Sequence, residues 1–368
     1  MLRPDPKQRQ PIVPGKSRHQ PPRRAPLDAI VVPTGRPSKH LDYVIKLAQG
    51  TAGWLLVLCS HEASACSVLA RAAAAGTRTV AVTIPQGYRH KWLSFRSDAF
   101  PQAAFGREAT DIHIKRNIAL LLSRLLGWEY ILFLDDDVRG LTAQSIANLT
   151  AALTSHSAAG LLVDSFPDNS VVMHAERLSG IEPGVSLCGG SLAVNTGLAR
   201  GFFPDIYNED WFFLFAASRS APVTSVGSVG QLACDPFAQP MRAASEEFGD
   251  VVAEGVKQLL AAGVSCERSS LSDWSGILER RRELIATIRG RLATGTTTAQ
   301  TVAADRALRA AEARLARITA RQCLDYVTLW QEDLAAWHDQ LQQLPTALGL
   351  TDALDLLEVG EPTIEQAA

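Results

Sequence analysis

Three adjacent carboxylates in "YILFLDDDVRG" are the residues of this chain with the clearest chemical potential. Asp135, Asp136 and Asp137 directly follow the apolar run "ILFL". Carboxylates grouped in this way repel each other and lose hydration, so they need a cation, a hydrogen-bond network or full solvation. A hard divalent cation held at this point could in turn neutralise a substrate diphosphate. The stretch therefore predicts a metal site, unless its role is structural.

Two other interpretations fit the same stretch. The nucleophile motif of haloacid-dehalogenase phosphatases also reads as apolar residues, then D-x-D-x, then Thr or Val. That scheme needs a downstream lysine and a closely spaced acidic pair, yet Lys257 is the only lysine after Asp137 and no such pair follows it. A solvated turn, or a cap for the helix predicted in "LTAQSIANLTAALTSH", is the structural alternative.

Alternating strands and helices place the aspartates at the edge of a sheet. Apolar strands are predicted in "LDAIVV", "WLLVLC", "TVAVT" and "YILFL", and amphipathic helices in "HLDYVIKLAQ", "ASACSVLARAAAA" and "DIHIKRNIALLLSRLLG". Further strands are predicted in "AAGLLVDSF", "NSVVMHAE" and "GGSLAVNT". This alternation favours a parallel α/β sheet, in which ligands gather at the carboxyl ends of the strands. The aspartates lie at such an end.

The chain is predicted to divide into three parts. Residues 1–26 are basic and rich in proline, which predicts a disordered arm, and residues 27–271 hold the α/β domain. From residue 272 onward, "WSGILERRRELIATIRGRL" and "AADRALRAAEARLARITARQCLDYVTLWQEDLAAWHDQLQQL" are rich in Ala, Arg, Leu and Glu with helical periodicity and are separated by the flexible "ATGTTTAQT". They predict a helical extension, for which a hairpin is one arrangement. This helical extension could pack on the core or form a homo-oligomer with another subunit.

Charge and composition exclude several classes of partner. The formal net charge of -2 gives no reason to expect nucleic acid. No apolar run approaches the roughly 20 residues needed to cross a bilayer. The six cysteines form no C-x-x-C pair, a pattern typical of reduced thiols in a cytoplasm. We therefore expect a cytoplasmic protein without a membrane span.

Five stretches, taken in order, resemble those of GT-A glycosyltransferases, specifically the family-2-like enzymes that use nucleotide-diphosphate sugars. They are "VVPTGRP", "IKRNIAL", "ILFLDDDV", "CGGSLAVNT" and "YNEDW". The resemblance covers roughly Leu27 to Asp250 and leaves the helical extension outside. It implies a Rossmann-like, mostly parallel sheet flanked by helices.

The resemblance also implies an activity and a set of site residues. The activity is metal-dependent, inverting transfer of a sugar from a UDP- or GDP-sugar to the hydroxyl of a soluble acceptor. Asp137 and Asp135 are the implied ligands of Mn²⁺ or Mg²⁺, and Asp210, with Glu209 beside it, is the implied base for the acceptor. The residues implied to bind the nucleotide-sugar are Pro33, Thr34, Gly35, Arg36, Arg116, Asp135 and Asp136.

The sequence departs from the family at the metal. Many relatives have a histidine after the acidic pair, but none occurs between Trp211 and Asp250. Asp235 in "LACDPF" is the candidate third ligand, because a carboxylate also suits a hard cation. The Q-x-x-R-W signature of processive polysaccharide synthases is absent, which favours transfer of a single sugar.

Several alternatives stay open at this point. A sugar-phosphate nucleotidyltransferase would share the sheet and the metal site, although the expected glycine-rich, lysine-bearing first loop is missing. A non-catalytic nucleotide-sugar binder that assembles through its helices is a second alternative. Glu209 and Asp210 could simply cap a helix that begins at "WFFLFAA". The stretch "EEFGD", residues 246–250, could touch the site or be a solvated helix start, of which we expect the second.

Overall fold

The computed structural model describes residues 26–100, 110–164, 170–184 and 186–359, and the backbone of Thr363–Glu365. The predicted amino-terminal arm, residues 1–26, lies outside this range apart from its last residue. The described residues form an α/β fold, as the alternation of strands and helices predicts.

One sheet of nine strands runs through the described part of the chain, in the order β5-β8-β6-β7-β4-β1-β2-β3-β9. Six strands (β1 to β4, β6 and β8) share one direction, and β5, β7 and β9 oppose it. The prediction of a mostly parallel sheet is therefore confirmed. The strands are β1 Ala29–Thr34, β2 Trp54–Cys59, β3 Thr79–Thr83, β4 Tyr130–Leu134, β5 Val138–Arg139, β6 Ala158–Val163, β7 Ser191–Asn195, β8 Val223–Gln231 and β9 Thr363–Glu365.

Helices cover both faces of the sheet. Alternate residues of β1 and β4 enter opposite cores: Val31 and Phe133 pack on one face, and Ile30 and Leu132 on the other. No helix among the described residues has the length and apolar character to cross a membrane. The helices are α1 Asp42–Ala48, α2 Ala65–Ala74, α3 Ile112–Leu126, α4 Ala143–Leu153, α5 Val171–Leu178, α6 Glu209–Ala217, α7 Pro240–Ala261, α8 Leu271–Thr294, α9 Ala299–Leu315, α10 Ala320–Gln343 and α11 Leu350–Leu356.

One prediction of secondary structure is wrong. The described part of "NSVVMHAE", residues 170–176, is not a strand but leads into and forms most of α5, whose first-turn amides are capped: Ser170 Oγ accepts from Met173 N (3.3 Å) and Glu246 Oε2 accepts from Val171 N (2.8 Å). The second helical stretch near the carboxyl end is divided into two helices, α9 and α10. Thr319 separates them because its hydroxyl accepts from Gln322 N (3.2 Å) and starts a new helix.

The carboxy-terminal helices pack on the α/β core. Trp274 of α8 and Trp330 of α10 are fully buried in the same apolar cluster as strand residues such as Phe133. A Cβ on Gly255 of α7 would lie 2.4 Å from Trp274, so α7 and α8 approach closely at this point. β9 also joins the edge of the sheet beside β3. Of the two arrangements that the sequence left open, the described residues adopt packing on the core.

A buried arginine joins α8 to α7. The Arg281 guanidinium donates to both carboxylate oxygens of Glu247 (2.9 and 2.8 Å), to Asp250 Oδ2 (2.7 Å) and to Glu254 Oε1 (3.1 Å). Glu247 and Asp250 are almost wholly buried, so the expectation that "EEFGD" is a solvated helix start is wrong. A buried charge is tolerated only when it is paired, and here the Arg281 guanidinium is the shared counter-charge of three carboxylates.

We predict that Arg281→Met lowers the free energy of unfolding by about 3–5 kcal/mol, because it leaves buried carboxylates without their cation. Arg282→Met is the matched control, since Arg282 is 45% exposed and pairs with Glu279 at 3.0 Å on the same helix. That control should change stability by about 0.5 kcal/mol or less. Urea unfolding of both variants makes the comparison. Equal losses of stability in Arg281→Met and Arg282→Met would contradict a specific contribution of the buried ion pairs of Arg281.

Candidate active site

Three segments of the chain meet at one edge of the sheet. β1 and β4 are parallel neighbours, so Thr34 and Asp135 emerge at the same edge. β7 runs antiparallel to β4 with Ser191 opposite Leu134, and Gly190 O accepts from Asp135 N (2.9 Å). This is the edge at which ligands bind in open α/β sheets.

Asp136 is bound to the loop after β1. Its Oδ2 accepts from Thr34 Oγ1 (2.6 Å), and its Oδ1 pairs with the Arg36 guanidinium. The same guanidinium has Nη2 3.5 Å from Asp137 Oδ2. Gly35 lies against His61, because a Cβ on Gly35 would be 3.2 Å from His61 Cδ2. The structure thus brings together the loop and the aspartates that were predicted to bind nucleotide, while Pro33 lies within β1.

Asp137 has an oxygen without a partner. Its Oδ1 is buried and accepts no hydrogen bond in the described part of the protein. Such an atom is costly unless a proton, water or cation satisfies it. A Mg²⁺-like cation is commonly held by one or two carboxylates and completed by water and substrate phosphates. The donor set therefore fits a divalent cation held mainly by Asp137.

Asp235 is placed apart from this arrangement. It is exposed beyond the end of β8, and its Oδ1 accepts from Phe237 N (2.9 Å) within its own turn. Within the ranges that the structure describes, no group of three or more His, Cys, Asp or Glu side chains is arranged to hold a metal ion. The structure does not assemble Asp135, Asp137 and Asp235 into one set of ligands.

Arg116 connects the aspartates to the acidic pair. Arg116 belongs to α3, and its side chain is buried. Its Nη1 donates to Glu209 Oε1 (2.7 Å), and its Nη2 donates to Asp135 Oδ1 (3.2 Å). Burial raises the pKa of Asp135, and the positive charge of Arg116 opposes part of that rise. Asp135 and Glu209 are therefore both paired with the Arg116 guanidinium.

Asp210 is held differently from Glu209. Its Oδ2 accepts from Gly189 N (2.6 Å), and its Oδ1 accepts from Trp211 N (2.8 Å). Burial raises the pKa of Asp210, although the Arg116 charge and these amides oppose the rise. Its place in the first turn of α6 also suits a negative charge, as the capping interpretation expects.

The turn before α6 is tied to the buried network on α7. Asn208, the residue at the amino-terminal cap, adopts a left-handed conformation with φ of 66°. Its Nδ2 donates to Asp250 Oδ1 (2.9 Å), and Asp250 in turn pairs with Arg281. The position of the acidic pair therefore depends on a residue in the carboxy-terminal extension.

Two cavities adjoin at this edge, because Thr110 lines both. The smaller has a volume of about 340 Å³ and contains the Arg116 cluster together with Asp210. The larger has a volume of about 670 Å³ and lies beyond the ends of β2 and β3, lined in part by Ser60, His61 and Asp111. Both volumes are suited to small-molecule ligands.

Sequence reasoning missed Lys115. This buried ammonium donates to Thr34 O (2.9 Å) and Ser60 Oγ (2.7 Å), and it lies 3.0 Å from Asp111 Oδ1. Burial lowers the pKa of Lys115, and the carboxylate of Asp111 opposes that shift. The signal was present in "IKRN", where two cations interrupt an apolar helix, but only Arg116 was singled out.

Comparisons with known proteins give little further information. No protein-family model and no curated protein sequence matches the chain. Among solved structures, a mycobacterial protein has 15% sequence identity and a TM-score of 0.41, covering 65% of this chain and 76% of that one. Core-mannan synthase A from Aspergillus fumigatus, in its Mn/GDP form, has 9% identity and a TM-score of 0.28, covering 62% of this chain and 84% of that one. These TM-scores are too low to bear on function.

We predict that Gly189→Ala disturbs the site. A Cβ at Gly189 would lie 2.3 Å from Arg116 Nη1, and Arg116 is held by two carboxylates and has little room to move. Overpacking of this kind costs about 1–3 kcal/mol of stability. Gly290→Ala in α8, where nothing lies within 4 Å, is the control and should be neutral or stabilising. Urea unfolding distinguishes them, and a neutral Gly189→Ala would contradict the close packing.

Proposed function

We propose that this protein is a divalent-metal-dependent GT-A glycosyltransferase that moves a sugar from a nucleotide-diphosphate sugar to an acceptor hydroxyl with inversion. The observation that supports this most strongly is the Arg116 bridge. It joins Asp135, at the end of β4, to Glu209, at the start of α6, and both line one cavity together with Asp210. A displacement between a donor and an acceptor requires groups held together in this way.

The donor would lie across the two cavities. Its nucleoside would enter the larger cavity beside His61, which packs on Gly35. The Thr34–Arg36 loop and Asp136 do not line that cavity and would meet the ribose outside it. Its diphosphate reaches Asp137, whose unpartnered oxygen would hold Mn²⁺ or Mg²⁺. When bound, the cation stabilises the negative charge of the departing nucleoside diphosphate. Arg36 is suited to add to that stabilisation, since its guanidinium already lies 3.5 Å from Asp137 Oδ2.

Asp210 would act as the base. The acceptor oxygen forms a bond to the anomeric carbon while the bond from that carbon to the diphosphate breaks, and the electron pair leaves with the nucleotide. The hydroxyl proton passes to Asp210, because a hydroxyl is a weak nucleophile near neutral pH. Glu209 is less suited to this role, since its carboxylate is paired with Arg116 at 2.7 Å. One displacement of this kind inverts the anomeric centre.

Nucleotide binding is expected to need the cation and Asp137. Calorimetric titration of UDP and GDP should give an affinity at least about tenfold higher with Mn²⁺ than without it, a difference of about 1.4 kcal/mol. Asp137→Ala should abolish that difference. Asp235→Ala is the control and should retain it, because Asp235 lies in its own turn. Equal affinity with and without the cation would remove the metal from the proposal, and a loss in Asp235→Ala would place Asp235 among the ligands.

Transfer is expected to depend on Asp210 as a base. Asp210→Asn should leave donor affinity near normal, while the transfer rate falls by roughly a hundred- to ten-thousand-fold. Because burial raises the pKa of Asp210, the wild-type rate should fall with decreasing pH at a value above the usual carboxyl pKa of about 4. The transfer rate of Asp210→Asn should not show this fall at low pH.

Three outcomes would contradict the proposed chemistry. A loss under about tenfold in Asp210→Asn would assign the base to another residue, with Glu209 the next candidate. Donor binding without transfer to any acceptor would favour a nucleotide-sugar binder. Formation of a nucleotide-sugar from a sugar phosphate would favour a nucleotidyltransferase.

A further inference from the structure

Arg242 lines the same cavity as Asp210 but takes no part in the Arg116 bridge. It lies in the first turn of α7, where Nε donates to Glu246 Oε1 (2.6 Å). Glu246 is buried, and its other oxygen accepts from Val171 N (2.8 Å). A fixed carboxylate thus holds the guanidinium in a defined position.

The edge of the Arg242 guanidinium formed by Nη1 and Nη2 is open to a ligand. Within the described residues, no acceptor is hydrogen-bonded to Nη1 or Nη2, and the side chain is 40% exposed. A guanidinium edge of this kind binds a carboxylate or a phosphate through two parallel N–H bonds. A cation in the first turn of a helix is also unfavourable to the helix dipole, and a bound anion would offset that cost.

A second cation, Lys257, contacts two residues that line the cavity. Lys257 Nζ is 3.3 Å from Ser186 Oγ and 4.8 Å from the centre of the Trp211 ring, and both of those residues line the cavity. Arg116 does not compete for an anionic ligand, because its Nη1 and Nη2 already donate to Glu209 and Asp135. Of the two guanidinium groups that line this cavity, Arg242 is therefore the one with Nη atoms open to an anionic ligand.

We infer that the acceptor is a small hydroxyl compound carrying a carboxylate or phosphate group, and that Arg242 binds that group. This inference rests on the proposed function, in which the acceptor hydroxyl meets Asp210 in this cavity. The volume of about 340 Å³ admits a small molecule rather than a long glycan. Arg242 thereby selects the acceptor and orients its hydroxyl toward the base.

Binding of matched charged and neutral probes tests the inference without any need for transfer. The pairs are D-glucuronate with D-glucose, and glycerol 3-phosphate with glycerol, each titrated calorimetrically into the full-length protein. At least one anionic probe should bind about tenfold or more tightly than its neutral partner. Arg242→Gln should remove that preference. Arg282→Gln, on an exposed arginine with a similar helical carboxylate partner, should leave it unchanged.

Two further variants keep the test decisive. Arg242→Gln leaves Glu246 buried without its cation. The double variant Arg242→Gln/Glu246→Gln removes that buried charge with an isosteric amide, and so checks that lost binding does not reflect unfolding. Arg36→Gln examines binding at the donor end. The inference is overturned if Arg36→Gln removes the preference while Arg242→Gln does not, or if neither anionic probe binds better than its neutral partner.

The inference and the proposed function fail in different ways. Anion binding that depends on Arg242, in a protein that transfers no sugar, would contradict the proposed function and leave the anion site in place. Sugar transfer to a neutral acceptor at an equal rate in wild type and Arg242→Gln would contradict the inference alone.

Discussion

The buried charge of Arg116 is the constraint on which the rest of the site depends. A guanidinium removed from water must be neutralised by nearby acids, and Asp135 and Glu209 are the carboxylates that do so. These two acids come from the end of β4 and the start of α6, so one electrostatic requirement joins two distant segments. The space it leaves is small enough that Gly189 has no room for a side chain.

A second buried arginine, Arg281, needs counter-charges in the same way. It donates to carboxylates of α7, and one of these, Asp250, also accepts a hydrogen bond from Asn208 at the start of α6. The carboxy-terminal helices are therefore part of the support for the acidic pair, and their burial with the sheet in one apolar cluster agrees with this. The helical extension, which looks like an appendage in the sequence, is thus connected to the residue before Glu209 and Asp210 through two hydrogen bonds.

The three adjacent aspartates have three different environments. Asp135 faces Arg116, Asp136 is bonded to Thr34 and paired with Arg36, and Asp137 retains a buried oxygen without a partner. The mutual repulsion of the triplet is thus relieved by cations of the protein itself, Arg116 beside Asp135 and Arg36 beside Asp136 and Asp137. Asp137 alone among the three keeps a buried oxygen without a partner in the described residues, which is why the proposed metal site depends mainly on Asp137.

The sequence alone determined the order of strands and helices through β4 and the position of the aspartates at a strand end. These features follow from short periodicities that a local stretch contains. Arg116, Glu209 and Asp210 became candidates only through the resemblance to GT-A glycosyltransferases. The prediction of a strand at Val171 failed because the structure there depends on a residue distant in the sequence. Val171 begins a helix where a strand was expected, because Glu246, 75 residues away, accepts its amide.

Tertiary structure also decided which charges are paired. Thr34 meets Asp136 across 102 residues, Arg116 meets Glu209 across 93, and Arg281 meets Glu247 across 34. Local patterns show that such residues are charged or polar, but burial and the choice of partner arise only when separate elements pack together. For that reason the sequence could name candidate acids, while only the fold shows which of their oxygens have no partner among the described residues.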